Sequence, residues 1–247
     1  MSYKSFSHFY DDFTADVQYA ERSDYMLALF EKFDRKPTLL LDVGCGTGGF
    51  SYEFAKRGIE VIGADISEEM LEIAAAKEIE CPVKPIFLNQ AAENLDLFGT
   101  VDGAVCCLDS INHITDTKTL QKAFDKISLF LEPERLFIFD VNTVYKHKKV
   151  LSGKKFVYDN GEKLCVWKNS FCRPDNSIKM KLKLFENTKD GYIMYKDSHF
   201  ERAYKPEKLA EMLERAGFAV LAVLGDMSYD ASKPCEERIY FVAEKVR

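Results

Sequence analysis

The segment Thr38-Leu39-Leu40-Leu41 is a short apolar run without helical period, and a glycine cluster, Gly44-Cys45-Gly46-Thr47-Gly48-Gly49, follows it at once. A helix-compatible stretch from Ser51 to Arg57 comes next and stops at Gly58. The pattern predicts strand, tight loop, helix. Upstream, Tyr25, Met26, Leu29, Phe30 and Phe33 recur at helical spacing until Pro37, which predicts one preceding helix, and residues 6–16 mix aromatics with acids. Downstream, Glu60 to Ala64 reads as a second strand closing on Asp65. Ser67 is placed to cap a helix running to about Lys77, with Glu68 and Glu69 suiting its first turn.

Pro85 to Leu88, Val101 to Leu108 and Leu136 to Phe139 are read as the third, fourth and fifth strands. A helix from Thr119 to Leu131 separates the last two, its apolar stripe formed by Leu120, Phe124, Ile127 and Leu131. Strands alternating with helices imply right-handed crossovers, a mostly parallel sheet, and ligands bound beyond the carboxyl ends of the strands. Asp42, Asp65, Asp109 and Asp140 all fall at those ends.

The pattern changes near Tyr145. Lys163 to Phe171, Ser177 to Phe185 and Tyr192 to Phe200 read as three antiparallel strands joined by turn sequences. In the middle one, Ile178, Met180, Leu182 and Leu184 alternate with Lys179, Lys181 and Lys183, so one face is apolar and the other cationic. The α/β pattern then resumes. Pro206 opens a helix that Gly217 ends, and Ala219 to Leu224 and Arg238 to Ala243 are the final strands. The expected organisation is an α/β core of residues 1–144 and 202–247 with an antiparallel β insertion, 145–201, acting as a substrate lid.

Composition adds limits. The chain of 247 residues, 47% hydrophobic and 30% charged, can bury a full core as one α/β domain. Its apolar runs are too short to span a bilayer, and the start lacks the apolar stretch of a signal peptide, so an intracellular, cytoplasmic protein is expected. Seven irregularly spaced cysteines fit a reducing compartment better than a disulfide framework. Adjacent Cys106 and Cys107 should point to opposite sides of a strand. His8, His113, His147 and His199 are too dispersed to suggest a metal site by spacing, and none is expected. The net charge of −6 hides a balance of +7 between Tyr145 and Phe200, leaving −13 for the rest.

Gly44-x-Gly46-x-x-Gly49 satisfies the dinucleotide fingerprint literally, with Asp65 where a ribose-binding acid belongs, so a nicotinamide dehydrogenase is one reading. Tyr-x-x-x-Lys, the pair of short-chain dehydrogenases, carries no weight because five of the twelve tyrosines match it. Against a dinucleotide stands Asp42, whose carboxylate lies unfavourably close to a pyrophosphate. A ligand with a ribose and a cationic centre but no phosphate tolerates that acid.

Asp42-Val43-Gly44-Cys45-Gly46-Thr47-Gly48 closely resembles the first motif of the class I S-adenosylmethionine-dependent methyltransferases, and Asp65 resembles their ribose-binding acid. Phe9-Tyr10-Asp11, Cys107 to Asn112, Glu201-Arg202-Ala203-Tyr204 and Ala216-Gly217-Phe218 extend the resemblance to small bacterial members with a β-rich insertion. It implies a doubly wound, Rossmann-like sheet of seven strands with the last antiparallel, and S-adenosylmethionine as cofactor. It also implies that Gly44, Cys45, Gly46 and Gly48 with the loop backbone meet the methionine portion, near Asp42, and that Asp65 chelates the ribose hydroxyls. Ile66 packs on the adenine, Leu108 lines the cofactor near the sulfonium, and Tyr10 acts as a lid.

One departure is Ala91, standing where relatives carry an acid for the adenine amino group; Gln90 or Asn89 are the substitutes at hand. Another is Arg22, near a place where related sequences often carry Trp. Asp109, Asn112, His113, Arg202 and Tyr204 are candidates near the substrate, each with a structural alternative, and His199 shares that choice. No general base is assigned. The sequence after strand four, Leu108-Asp109-Ser110-Ile111, is not the signature of amino-methylating nucleic-acid enzymes, so a small-molecule acceptor is favoured. An RNA methyltransferase using Lys146, Lys148, Lys149, Lys154 and Lys155 is the runner-up; a non-catalytic S-adenosylmethionine-binding module and the dehydrogenase remain as other classes. The oligomeric state is left open.

Overall fold

A computed structural model of the chain describes residues 6–189 and 191–246. Seven strands form the main sheet: β1 (Leu39–Val43), β2 (Glu60–Asp65), β3 (Ile86–Asn89), β4 (Gly103–Cys106), β5 (Leu136–Asn142), β10 (Phe218–Gly225) and β11 (Arg238–Lys245). Their order is β10-β11-β5-β4-β1-β2-β3, with β11 antiparallel to both neighbours and the β5-β4-β1-β2-β3 pairs all parallel. The order reverses between β1 and β4, the position at which an open α/β sheet leaves a crevice at its carboxyl edge. The doubly wound seven-stranded fold with an antiparallel final strand is therefore the one the residues implied.

Helices α2 (Tyr19–Lys32), α3 (Gly49–Lys56), α4 (Glu68–Ala76), α6 (Thr117–Phe130) and α7 (Pro206–Arg215) cover the sheet, while α1 (Ser7–Phe13) and the single turn α5 (Ser110–His113) border the carboxyl edge. Ser67 caps α4 by accepting from the Met70 N–H. Alternation along the strands fills two cores. Leu41, Val43, Cys106, Phe137, Phe139 and Phe241 face α6 and α7, whereas Leu40, Val105, Cys107, Ile138 and Tyr240 face α2 and α3. Cys106 and Cys107 thus do lie on opposite faces, and all seven cysteines are free thiols.

The region after Lys146–Leu151, a π-helical turn, forms a second, antiparallel sheet ordered β6-β7-β8-β9: β6 (Lys155–Asp159), β7 (Lys163–Cys172), β8 (Ser177–Thr188) and β9 (Gly191–Arg202). It has four strands rather than three. Its β6 carries only five residues with four of them exposed, too little apolar alternation to register as a strand. Ile178, Met180, Leu182 and Leu184 are buried and Lys181 and Lys183 exposed, as alternation required. The fourth main strand is shorter than its apolar run because Cys107 to Asp109 leave the sheet in a turn.

Helix α1 joins the sheets. Phe9 packs on Cys165, Leu182 and Leu184 of the second sheet, and Lys163 pairs with Asp12. On its other side Asp11 accepts from the Thr47 hydroxyl at 2.6 Å and pairs with Lys77 at 2.7 Å. No helix among the described residues is long and apolar enough to cross a membrane.

Candidate functional site

The loop between β1 and α3 is shaped by left-handed residues. Gly44 has φ of +71°, and a Cβ there would stand 2.8 Å from Ser110, so only glycine allows the loop to seat against α5. Around the loop lies a pocket bounded by Tyr10, Tyr19, Asp42, Cys45, Leu108 and Ser110 among others.

One carboxylate, Asp42, lines the pocket and a second, Asp65, stands beside the loop; among the described residues no cationic side chain lines it. Asp42 is buried on β1; its Oδ2 accepts the Ser51 hydroxyl at 2.6 Å. Burial pushes its pKa up to about 6, against the Ser51 hydrogen bond and helped by the nearby Asp65 charge. Asp65, at the end of β2, accepts from the Gly46 N–H through Oδ2 and the Ser67 N–H through Oδ1, both at 2.8 Å. Burial raises its pKa as well. A carboxylate has about four lone-pair sites. Each oxygen of Asp65 therefore keeps one more acceptor position, a pair matched to a vicinal diol.

The turn after β4 supplies the opposite wall. Leu108 and Asp109 both have left-handed backbones, φ 51° and 56°. Their N–H groups donate to the two oxygens of buried Asp140, at 2.9 and 2.7 Å. Arg238 on β11 reaches the same carboxylate and also Asp109 Oδ1 at 2.6 Å. A buried Asp109–Arg238–Asp140 bridge thus holds two unfavourable backbone conformations in place.

A second group of polar side chains gathers beside this turn. His113 Nε2 lies 4.0 Å from Asp109 Oδ2 and 3.8 Å from Glu201 Oε1, and its ring is 5.3 Å from that of His199. Glu201 Oε2 is within 3.2 Å of His147 Nε2 and accepts from Asn142 Nδ2 at 3.1 Å. Burial alone would raise the Glu201 pKa, but the His147 hydrogen bond and the surrounding histidines outweigh it and hold the group down to about 2. Burial pushes His199 down to about 4. Phe6 packs on both Tyr10 and His199, so pocket and polar cluster adjoin.

Of the residues singled out from sequence, Tyr10, Asp42, Gly44, Cys45 and Leu108 line one pocket, Gly46 is tied to Asp65, and Gly48 precedes α3. Ile66 exposes its side chain next to Asp65. Gln90 spends its amide on both backbone groups of Asp96, while Ala91 opens a 3-10 turn, Ala92–Asn94. Asn112 bonds the backbones of Asn142 and Arg202; Arg202 donates to the Thr115 carbonyl and Tyr204 to that of Ile114. These three hold α5 against β5 and β9. Arg22 ties α2 to Asp226 and Tyr240.

Sequence reasoning missed Arg238, Tyr19, Glu201 as a polar hub, and the convergence of three of the four histidines. Thr47 lies within the recognised motif and Phe50 two residues beyond it, whereas nothing local to Arg238 or Tyr19 marks them.

Comparisons with known proteins agree with this geometry. The methyltransferase-domain family matches residues 40–134. A crystal structure of an S-adenosylmethionine-dependent methyltransferase from Clostridium acetobutylicum is 31% identical, superposes with a TM-score of 0.88 and is covered over 99% of each chain. A Geobacillus protein named for methyl transfer, without a named acceptor, is 30% identical over 250 residues, 99% of this chain and 100% of its own. A ubiquinone biosynthesis O-methyltransferase from Xanthomonas oryzae is 30% identical over 124 residues, 49% of each chain. The pocket fits the cofactor of that family: Asp42 in its wall, Asp65 beside the glycine loop and no cationic side chain among the described lining residues suit an ammonium, a sulfonium and a ribose diol, and disfavour a pyrophosphate. Fold, pocket and full-length relatives agree, and the chain belongs to the class I S-adenosylmethionine-dependent methyltransferases.

Proposed function

We propose that this enzyme methylates a small molecule, presented to the cofactor between the β4 turn, α1 and the antiparallel sheet. The observation that carries this reading is the largely buried polar cluster of Asp109, His113, His199 and Glu201 beside the cofactor pocket: Glu201 is 3% exposed and His199 9%. Such a cluster suits a compact polar acceptor. Lys146, first of the lysines considered for RNA, turns inward to donate to Asn142 Oδ1 at 2.8 Å. The seven free cysteines support a reducing, cytoplasmic setting.

When bound, S-adenosylmethionine supplies an already activated methyl group. The chain's own residues then have to bind, align and exclude water. Asp65 takes the ribose hydroxyls with its two remaining acceptor positions, Ile66 covers the adenine, and Asp42 faces the methionine ammonium. Asn89, whose Nδ2 donates to the Asp65 and Ile66 carbonyls, brings its Oδ1 to the adenine amino group in place of the acid absent at Ala91. Tyr10, fixed by the Asp11 contacts, closes the pocket. We assign 145–201 as the lid that completes the acceptor chamber.

Asp42 gives this arrangement a pH signature. Its pKa of about 6 means that it is charged above pH 6, where it attracts an ammonium, and neutral below. Affinity for S-adenosylhomocysteine is therefore expected to be flat from pH 7 to 8 and to fall as pH drops below about 6, by up to tenfold per unit. Asp42→Asn should bind more weakly at pH 8 and lose that slope; a wild-type affinity independent of pH would remove Asp42 from the ammonium.

The acceptor class is tested with methyl-labelled cofactor and fractionated cell extract. Label is expected in the small-molecule fraction. Label in RNA instead, with binding that weakens steeply with salt, would reject the reading.

A further inference from the structure

We propose that His113, His199 and Glu201 form a binding site for one divalent transition-metal ion of the zinc class, at the acceptor end of the pocket. One ligand atom from each lies within 4.8 Å of the others. The proposal departs from the expectation drawn from the sequence, where 86 residues separate the histidines; β9 carries His199 and Glu201 to the turn that carries His113.

The surrounding bonds orient the carboxylates as a metal site requires. Glu201 has one oxygen anchored by His147 and Asn142, and its other oxygen, Oε1, is the one turned to His113. Asp109 repeats the arrangement: Oδ1 is held by Arg238, and Oδ2 is the atom 4.0 Å from His113 Nε2. Ligand atoms anchored from behind in this way are the usual support of a bound metal. Metal–ligand bonds of about 2.1 Å place tetrahedral ligands about 3.4 Å apart. The His113–Glu201 separation of 3.8 Å needs a contraction of only a few tenths of an ångström. Two imidazoles and one or two carboxylates select a borderline divalent ion over magnesium or calcium, which prefer all-oxygen shells.

Three protein ligands leave a position open. An acceptor hydroxyl bound there has its pKa lowered; the proton passes to water and the oxygen keeps the electron pair. That role rests on the methyl-transfer reading, whereas ion binding itself does not.

The test is titration of chelator-stripped full-length protein with Co2+, followed by the visible spectrum of the ion and its displacement by Zn2+. One equivalent is expected to bind. His113→Ala and His199→Ala should each weaken binding by about 100-fold or more, and His8→Ala, at an exposed histidine, should not change it. S-adenosylhomocysteine affinity monitors folding of each variant, and Glu201→Gln supplies a third if either alanine variant fails that check. No saturable Co2+ binding by the wild type, or binding unchanged in the folded triad variants, would overturn the site. Failure of metal binding with cofactor binding intact would leave the methyltransferase reading standing.

Discussion

Asp65→Ala is expected to lose S-adenosylhomocysteine binding by about 100-fold or more. The carboxylate already accepts from Gly46 and Ser67, and its two remaining acceptor positions are assigned to the ribose hydroxyls. Hydrogen bonds to a charged group contribute roughly 1.5–3 kcal/mol each, so removing two costs on the order of 3–6 kcal/mol, or about 10² to 10⁴ in affinity. Asp65→Ala also releases the Gly46 N–H that fixes the glycine loop. Asp65→Asn separates the two effects: it keeps the shape and loses the charge, and should bind with intermediate affinity. Calorimetric titration of the three proteins measures the series. Equal affinities would remove Asp65 from the ribose.

Arg238→Met should be the most damaging single change to stability. The guanidinium is 9% exposed and bridges Asp109 and Asp140, which lie close together beneath the β4 turn. Removing one partner of a buried ion pair costs about 3–5 kcal/mol, a large share of the roughly 5–15 kcal/mol that holds a domain folded. For a chain of this size that corresponds to a drop in Tm of about 10 °C. Burial already raises the Asp109 pKa, above the counteracting pull of Arg238, and losing that pull raises it further. The unpaired Asp109 is then easier to protonate, so the deficit should shrink on acidification. Thermal unfolding at pH 5 and 8 measures both effects. An unchanged Tm at pH 8 would show that the bridge is not what holds the turn.

The core and the cofactor loop were legible because they are written in local pattern. Alternation placed Ile178, Met180, Leu182 and Leu184 on the apolar face of β8, and the glycines with Asp42 and Asp65 declared a nucleotide-like ligand with a cationic centre. Ser67 capping α4 and Gly217 ending α7 are equally local. The acceptor end was not legible, because its parts come from distant segments. Arg238 meets Asp109 across 129 residues, and His147 meets Glu201 across 54. A charged residue opening a strand carries no sign that its partners are two aspartates, one on the neighbouring β5 and one in the turn after β4. Asn112, Arg202 and Tyr204 show the converse: the motifs around them are distinctive, yet their polar atoms are occupied by backbone groups of β5, β9 and the two residues that follow α5. Their bonds hold the α5 turn, which carries His113 and follows Asp109, against β5 and β9.

The central claim is that a glycine-loop pocket walled by Asp42, with Asp65 beside it and no cationic side chain among its described lining residues, binds the methyl-donor cofactor and not a dinucleotide. Calorimetric titration of the wild-type protein at pH 8 with S-adenosylhomocysteine, and separately with NAD and NADP, tests it most directly. The account predicts saturable one-to-one binding of S-adenosylhomocysteine and no heat from either dinucleotide; tight NAD or NADP binding without an S-adenosylhomocysteine signal would contradict it.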